Sequence, residues 1–200
     1  MLNAIIMASG YGKRMGENKL LLSYKGKSLI EWIIEKVLES EFSNRIVIAR
    51  DKYVIDLVRK KGIKVVVNEK AHLGKSESIK LGIENLPLAQ GYMFFTADQP
   101  LIKRSTIQKL IDNFKQNKDF IIVPKYKDKK GSPVIFPNKF VDELLLLKGD
   151  NGGKIVINKH MDKVKFVDIN EGYELLDIDT VEDYKKLILL GDNSTFAGEK

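Results

Sequence analysis

The chain has 200 residues and no cysteine, which excludes disulfides, thiolate metal sites and a thiol nucleophile together. Lysine and arginine number 34 against 27 aspartates and glutamates, a net charge of +7, and hydrophobic residues make up 44%, which excludes a disordered chain or a collagen-like repeat. No apolar run approaches the roughly 20 residues of a membrane span, and the first ten residues carry no basic leader or small-residue cleavage site, so a soluble, cytoplasmic protein is expected.

Taken in order, Ala4–Met7, Ile46–Ala49, Val65–Val67, Tyr92–Thr96 and Phe120–Val123 are β-branched or aromatic runs that read as buried strands. Amphipathic stretches lie between them. Leu29, Ile30, Ile33, Ile34, Val37 and Leu38 share one helical face, and Ser105 three residues before Gln108 reads as a capping-box start to a helix through Phe114. Strands alternating with helices at this spacing imply right-handed crossovers. The expected class is α/β, a Rossmann-like three-layer fold with a mostly parallel sheet and helices on both faces.

After residue 125 the rhythm changes. Lys125–Gly131 reads as a polar loop, and Pro133–Phe136 as a short strand suited to an edge or hairpin. A helix over Lys139–Leu147, a glycine-rich turn at Gly149–Gly153, a further helix and a last strand at Val164–Val167 follow. Thr180 can cap a final helix to about Leu190. One domain over 1–190 with a flexible polar tail over 191–200 is expected.

The chemistry starts at the first strand, which runs into Ser9-Gly10-Tyr11-Gly12-Lys13-Arg14-Met15-Gly16 and then Lys19. Glycines let backbone amides approach a phosphate, and the cations neutralise it. A dinucleotide loop needs G-x-G-x-x-G; here the spacing is one residue longer and holds two cations, which suits a triphosphate and speaks against a nicotinamide-dependent oxidoreductase. Gly74-Lys75-Ser76 ends like a P-loop, but Glu69 stands where that loop requires glycine. Asp98 lies at the carboxyl end of a strand, where open parallel sheets bind ligands, and Pro100 stiffens its turn. Asp179, before the last helix, could join Asp98 around Mg²⁺. His72 and His160 are too far apart in sequence to suggest a histidine metal site. The basic residues are scattered, without interleaved aromatics, so a nucleic-acid-binding protein is the weaker reading.

These residues form an ordered set. Met7-Ala8-Ser9-Gly10 through Arg14-Met15-Gly16 to Lys19-Leu20-Leu21 resembles the nucleotidyltransferase signature L-A-A-G-x-S-x-R-M-G-x-x-K-x-L. Gly74 to Gly82 resembles G-M-S-x-S-L-x-x-G, Asp98-Gln99-Pro100 the D-Q-P turn, Gly131-Ser132-Pro133 the G-H-P loop, Leu147 to Gly153 the L-x-G-D-x-G-A loop, and Asp177-Ile178-Asp179-Thr180 the D-I-D-T segment. The chain therefore resembles the molybdenum cofactor cytidylyltransferases, with the guanylyltransferases for that cofactor close behind.

That resemblance implies a nucleotide-diphospho-sugar transferase type of fold and Mg²⁺-dependent transfer of CMP from CTP to the terminal phosphate of molybdopterin. Guanylyl transfer to the same cofactor, or transfer to a sugar or polyol phosphate, is the alternative. Arg14, Lys19 and Asp98 would be catalytic. Ala8, Ser9, Gly10, Gly12, Arg14, Lys19, Gly74, Ser76 and Ser78 would bind the nucleotide, and Asp98 and Asp179 the metal. Gly131, Ser132, Pro133, Gly149, Asp150 and Gly152 would face the pterin. A molybdoenzyme of the xanthine dehydrogenase type would be the partner; nucleic acid and membrane are not expected ones. Three positions depart from the pattern: Ser9 is neither the Ala of the cytidylyl group nor the Gly of the guanylyl group, Gly12 replaces a common Ser, and Ser132 replaces His.

Overall fold

The computed structural model describes residues 1–10 and 18–194. Strand β1 (Leu2–Ala8) is followed by a small antiparallel pair, β2 (Ser23–Tyr24) and β3 (Lys27–Ser28), and by α1 (Leu29–Leu38). The strand–helix unit then repeats through β4 (Asn44–Ala49), α2 (Lys52–Lys60), β5 (Lys64–Val67), α3 (Lys75–Glu84), β6 (Gly91–Thr96) and α4 (Arg104–Gln116). The last third holds β7 (Ile121–Tyr126), β8 (Lys129–Lys130), β9 (Val134–Pro137), α5 (Val141–Leu145), α6 (Lys154–Lys159), β10 (Val164–Asp168) and α7 (Val181–Ser194).

The main sheet runs β10-β7-β9-β6-β1-β4-β5, with β8 paired to β7. Neighbours are parallel except at β8 and at β9, which is antiparallel to both β6 and β7. β1 sits inside, Ile5 opposite Ile46 on one side and Phe94 on the other. Strand alternation divides its side chains between two layers. Ala4, Ile6 and Ala8 join Ile33, Val54 and Leu110 from α1, α2 and α4; Ile5 joins Ile79, Leu144 and Val156 from α3, α5 and α6. A third cluster of Tyr24, Leu29, Ile178 and Leu187 seats α7 against the β2–β3 pair. Helices therefore cover both faces of a mostly parallel sheet, and the ligand edge is left at the strands' carboxyl ends. Among the described residues no helix is long and apolar enough to cross a membrane.

Four local expectations change. Ser105 lies inside α4, which starts at Arg104; no side chain of its own caps it, because Glu174 from a distant segment accepts from the Lys103 amide at 2.9 Å. Lys125–Gly131 is a hairpin, since β7 continues to Tyr126 and pairs back with β8, Lys127 taking the positive φ of 53° at the turn. The strand after Pro133 is central rather than an edge: the proline precedes it, so the amides of Val134–Phe136 remain free for ladders on both sides. The last helix runs past Leu190 to Ser194, and residues 195–200 of the expected tail lie outside the described residues. Thr180 does cap it: its Oγ1 accepts from Asp183 N at 3.2 Å while the Asp183 carboxylate accepts from Thr180 N at 3.0 Å.

Candidate active site

The carboxyl ends of β1, β6 and β7 open into a cleft of about 1230 Å³. β1 delivers Ala8, Ser9 and Gly10 to it. Ser9 is buried, and its hydroxyl donates to the Ile48 carbonyl at 3.0 Å, so its proton is used by β4 and only lone pairs remain for a ligand. Gly12 and Arg14 lie outside the described residues. The chain resumes at Asn18, whose side chain caps a short 3-10 turn over Lys19–Leu21 by accepting from Leu20 N.

That turn points Lys19 at two acids. Its Nζ donates to Asp98 Oδ2 at 2.6 Å and to Asp179 Oδ1 at 2.7 Å, joining positions 79 and 160 residues away in sequence. Desolvation by itself would lower the Lys19 pKa; the charge of Asp98 and the hydrogen bonds of both acids outweigh it, and the ammonium is held above its ordinary range. Asp98 lies two residues beyond the end of β6, and its carbonyl accepts from Ile178 N at 3.0 Å. Beside it Gln99 Nε2 donates to Asp177 Oδ1 at 2.8 Å. Desolvation, reinforced by the Asp98 charge, pushes the Asp177 carboxyl up. Residues 174–179 thus form a strap pinned across the end of β6.

On one side of the cleft Gly74 starts α3 with a φ of +110°, pressed onto the loop at Gly149. A Cβ there would overlap the Gly149 carbonyl carbon and lie 2.5 Å from Asp150 N. Ser76 N donates to Gly149 O at 3.1 Å, which fastens the two loops together. Ser78 lines the cleft, its Oγ accepting from Asn68 Nδ2 at 3.1 Å, whereas Ser76 is fully buried and outside the lining. On the other side stand Lys129, Lys130, Gly131 and Ser132, with Lys129 Nζ tied to Leu175 O at 3.0 Å.

The structure therefore brings Ala8, Ser9, Gly10, Lys19, Gly74, Ser78, Asp98, Gly131, Ser132, Asp150 and Asp179 to one cleft. Pro133, Gly149 and Gly152 are not part of its described lining. Sequence reasoning passed over Lys75, Lys129, Lys130, Lys154 and Asp177, which line it. Asp177 and Lys75 stand inside motifs already singled out; Lys129, Lys130 and Lys154 carry no signal, because nothing in their spacing separates a cleft lysine from a solvated one.

Asp98 and Asp179 converge on the single point where the Lys19 ammonium sits. Asp98 Oδ1 is buried without a hydrogen-bond partner, an arrangement that costs free energy until a cation or donor reaches it. Hard carboxylate oxygens around one point fit Mg²⁺ or Mn²⁺. Among the described residues no three His, Cys, Asp or Glu side chains form a ready-made metal cage, so part of the coordination would fall to a ligand.

A mostly parallel three-layer sheet with this cleft at its carboxyl edge is the nucleotidyltransferase architecture, of the nucleotide-diphospho-sugar transferase fold. The chain belongs to the family of MobA-like NTP transferase domains, whose model matches residues 4–164. It is similar to a probable molybdenum cofactor guanylyltransferase from Natranaerobius thermophilus, 30% identical over 125 residues, which are 62% of this chain and 60% of that protein. A protein of the same description from Aquifex aeolicus is 25% identical over 195 residues, 92% of this chain and 89% of that one. The chain spans about three fifths of the length of the first two curated relatives it matches. Among solved structures, Rv0371c from Mycobacterium tuberculosis H37Rv superposes with a TM-score of 0.83 at 25% identity, covering 94% of this chain and 97% of that one. Its complex with manganese superposes at 0.79 and 24% identity, over 94% and 98%.

Proposed function

We propose that this nucleotidyltransferase transfers a nucleoside monophosphate from a nucleoside triphosphate to the terminal phosphate of molybdopterin. An oxygen of the acceptor phosphate bonds to the α-phosphorus, the bond from that phosphorus to the bridging oxygen breaks, and pyrophosphate leaves. The observation that carries the reading is Lys19 held between Asp98 and Asp179 at the carboxyl edge of the sheet. This chemistry needs charge neutralisation and alignment more than a protein nucleophile. Lys19 would turn toward the triphosphate, and Gly10, with Gly12 and Arg14 as the resemblance implies, would complete its cradle. Asp98 and Asp179, freed from Lys19, would hold Mg²⁺, which when bound supplies charge neutralisation on phosphate oxygens. Gly74 and Ser78 would shape the base and ribose end, and the Gly131–Pro133 and Gly149–Gly153 loops the pterin end.

GTP is the first candidate donor, supported by the names of the Natranaerobius and Aquifex relatives. CTP is the second, supported by the Asp98-Gln99-Pro100 turn and the Asp177–Thr180 segment, which resemble the cytidylyl group; with CTP the product would serve a molybdoenzyme of the xanthine dehydrogenase type. Pyrophosphate release with Mg²⁺ and molybdopterin, GTP against CTP, tests both, with Asp98→Asn as control. Release with GTP alone supports the first reading and with CTP alone the second. Release with neither, but with a sugar phosphate as acceptor, overturns molybdopterin as the substrate.

A further inference from the structure

We infer that Lys36, on α1, is a positioning residue for Asp98, acting from behind the turn that follows β6. The inference rests on the reading of Asp98 as a metal ligand. Residues 98–103 are gripped from two sides. On the cleft side Asp177 and Ile178 hold Gln99 and the Asp98 carbonyl. On the far side Lys36 Nζ donates to the Pro100 carbonyl, and Glu174, almost completely buried, accepts from Lys103 N. Pro100 has no N–H, so its carbonyl is the one main-chain group by which that residue can be tied down. Lys36 ties it, two residues beyond Asp98.

The choice of side chain argues for placement over stability. Burial drives the Lys36 pKa down to about 8, with Glu174, then Glu35 and Glu39, pulling the other way. The acids that face it are thus Glu35 from its own helix, Glu39 at that helix's C-terminal cap and Glu174 from the strap, and the Trp32 ring lies 5.5 Å from the ammonium. An apolar side chain of similar volume would spare the fold a desolvated charge. The ammonium offers instead a directed, charge-assisted hydrogen bond that fixes where the turn stands.

Lys36→Met is the first test, read by amide hydrogen exchange and by turnover at varied Mn²⁺. Exchange over 98–103 should quicken while β1 and β4 keep their protection. Half-saturating Mn²⁺ should rise, or kcat fall, by about tenfold or more, with KM for the nucleotide unchanged, because small misplacements of a catalytic group carry such penalties. Glu174→Gln, which keeps an acceptor for Lys103 N but removes the facing charge, should move both readouts in the same direction and covers the case in which the methionine variant does not fold. Unaltered exchange in the turn overturns the inference whatever the reaction is. Quickened exchange with unaltered Mn²⁺ dependence and kcat overturns the role of Lys36 and leaves the metal reading standing. A wild-type enzyme indifferent to Mn²⁺ overturns the metal reading and the inference with it.

Discussion

Lys19 occupies the position that matters most at the scale of single residues, because one ammonium bridges acids drawn from the middle and the last part of the chain. Lys19→Met removes the ammonium that bridges Asp98 and Asp179 and leaves those two acids, with Asp177 beside them, to repel one another. Removing one partner of a part-buried pair costs more than the pair contributes, roughly 1–3 kcal/mol here. The variant should melt lower than wild type in chelator, and millimolar Mg²⁺ should restore part of the loss by replacing the missing charge. Equal melting with and without Mg²⁺ would remove the acids as a cation site. Ser9 illustrates the opposite case. Its side chain is committed to Ile48, so at this position the protein offers a ligand its backbone and lone pairs and no free hydroxyl proton.

At the scale of elements, the start of α3 and the loop before α6 are fastened to each other in the wall of the cleft. Gly74→Ala combines a positive-φ penalty with a clash against backbone, and should cost about 3 kcal/mol or more in urea unfolding, with nucleotide affinity falling alongside it. An alanine variant of wild-type stability would mean that the two loops part without cost. Much of this arrangement was legible in the chain. Apolar runs such as Ala4–Met7 and Tyr92–Thr96 declare buried strands, and an acid two residues beyond such a run, Asp98, declares the ligand edge. The partners of each run were not legible, because residues 134–136 read the same whether they pair at an edge or between two strands. The Ser105 capping reading failed for a related reason: the cap that forms comes from Glu174, 71 residues beyond Lys103, and no local pattern announces it. Lys36 is the same lesson at a similar separation, a lysine on an amphipathic helix whose task depends on a carbonyl 64 residues away.

For the whole molecule, the half-buried Lys36 gives stability an unusual slope with pH. The Lys36 pKa is near 8 in the folded protein against an ordinary 10.5. Between those values the unfolded chain holds the proton at this site and the folded one releases it, so stability rises with pH through that window. Below about pH 8 both states are protonated and the fold carries the full penalty, of order 3 kcal/mol. Urea unfolding of wild type and Lys36→Met from pH 7 to 10.5 should therefore show wild type gaining on the variant as pH increases. A constant difference would mean that Lys36 keeps its proton throughout.

The antiparallel strand β9 also dictates the order in which the molecule can be assembled. β6 and β7 are successive parallel strands, yet they meet only through β9, which leaves the ribosome after both. Strands β1, β4, β5 and β6 can pair as they emerge, but the free edge of β6, carrying Tyr92-Met93-Phe94-Phe95, stays open until residues 134–137 are made. An apolar edge of that kind is a template for other chains. Synthesis interrupted between these points leaves a half-sheet with an adhesive margin, and the four residues of β9 are what close it.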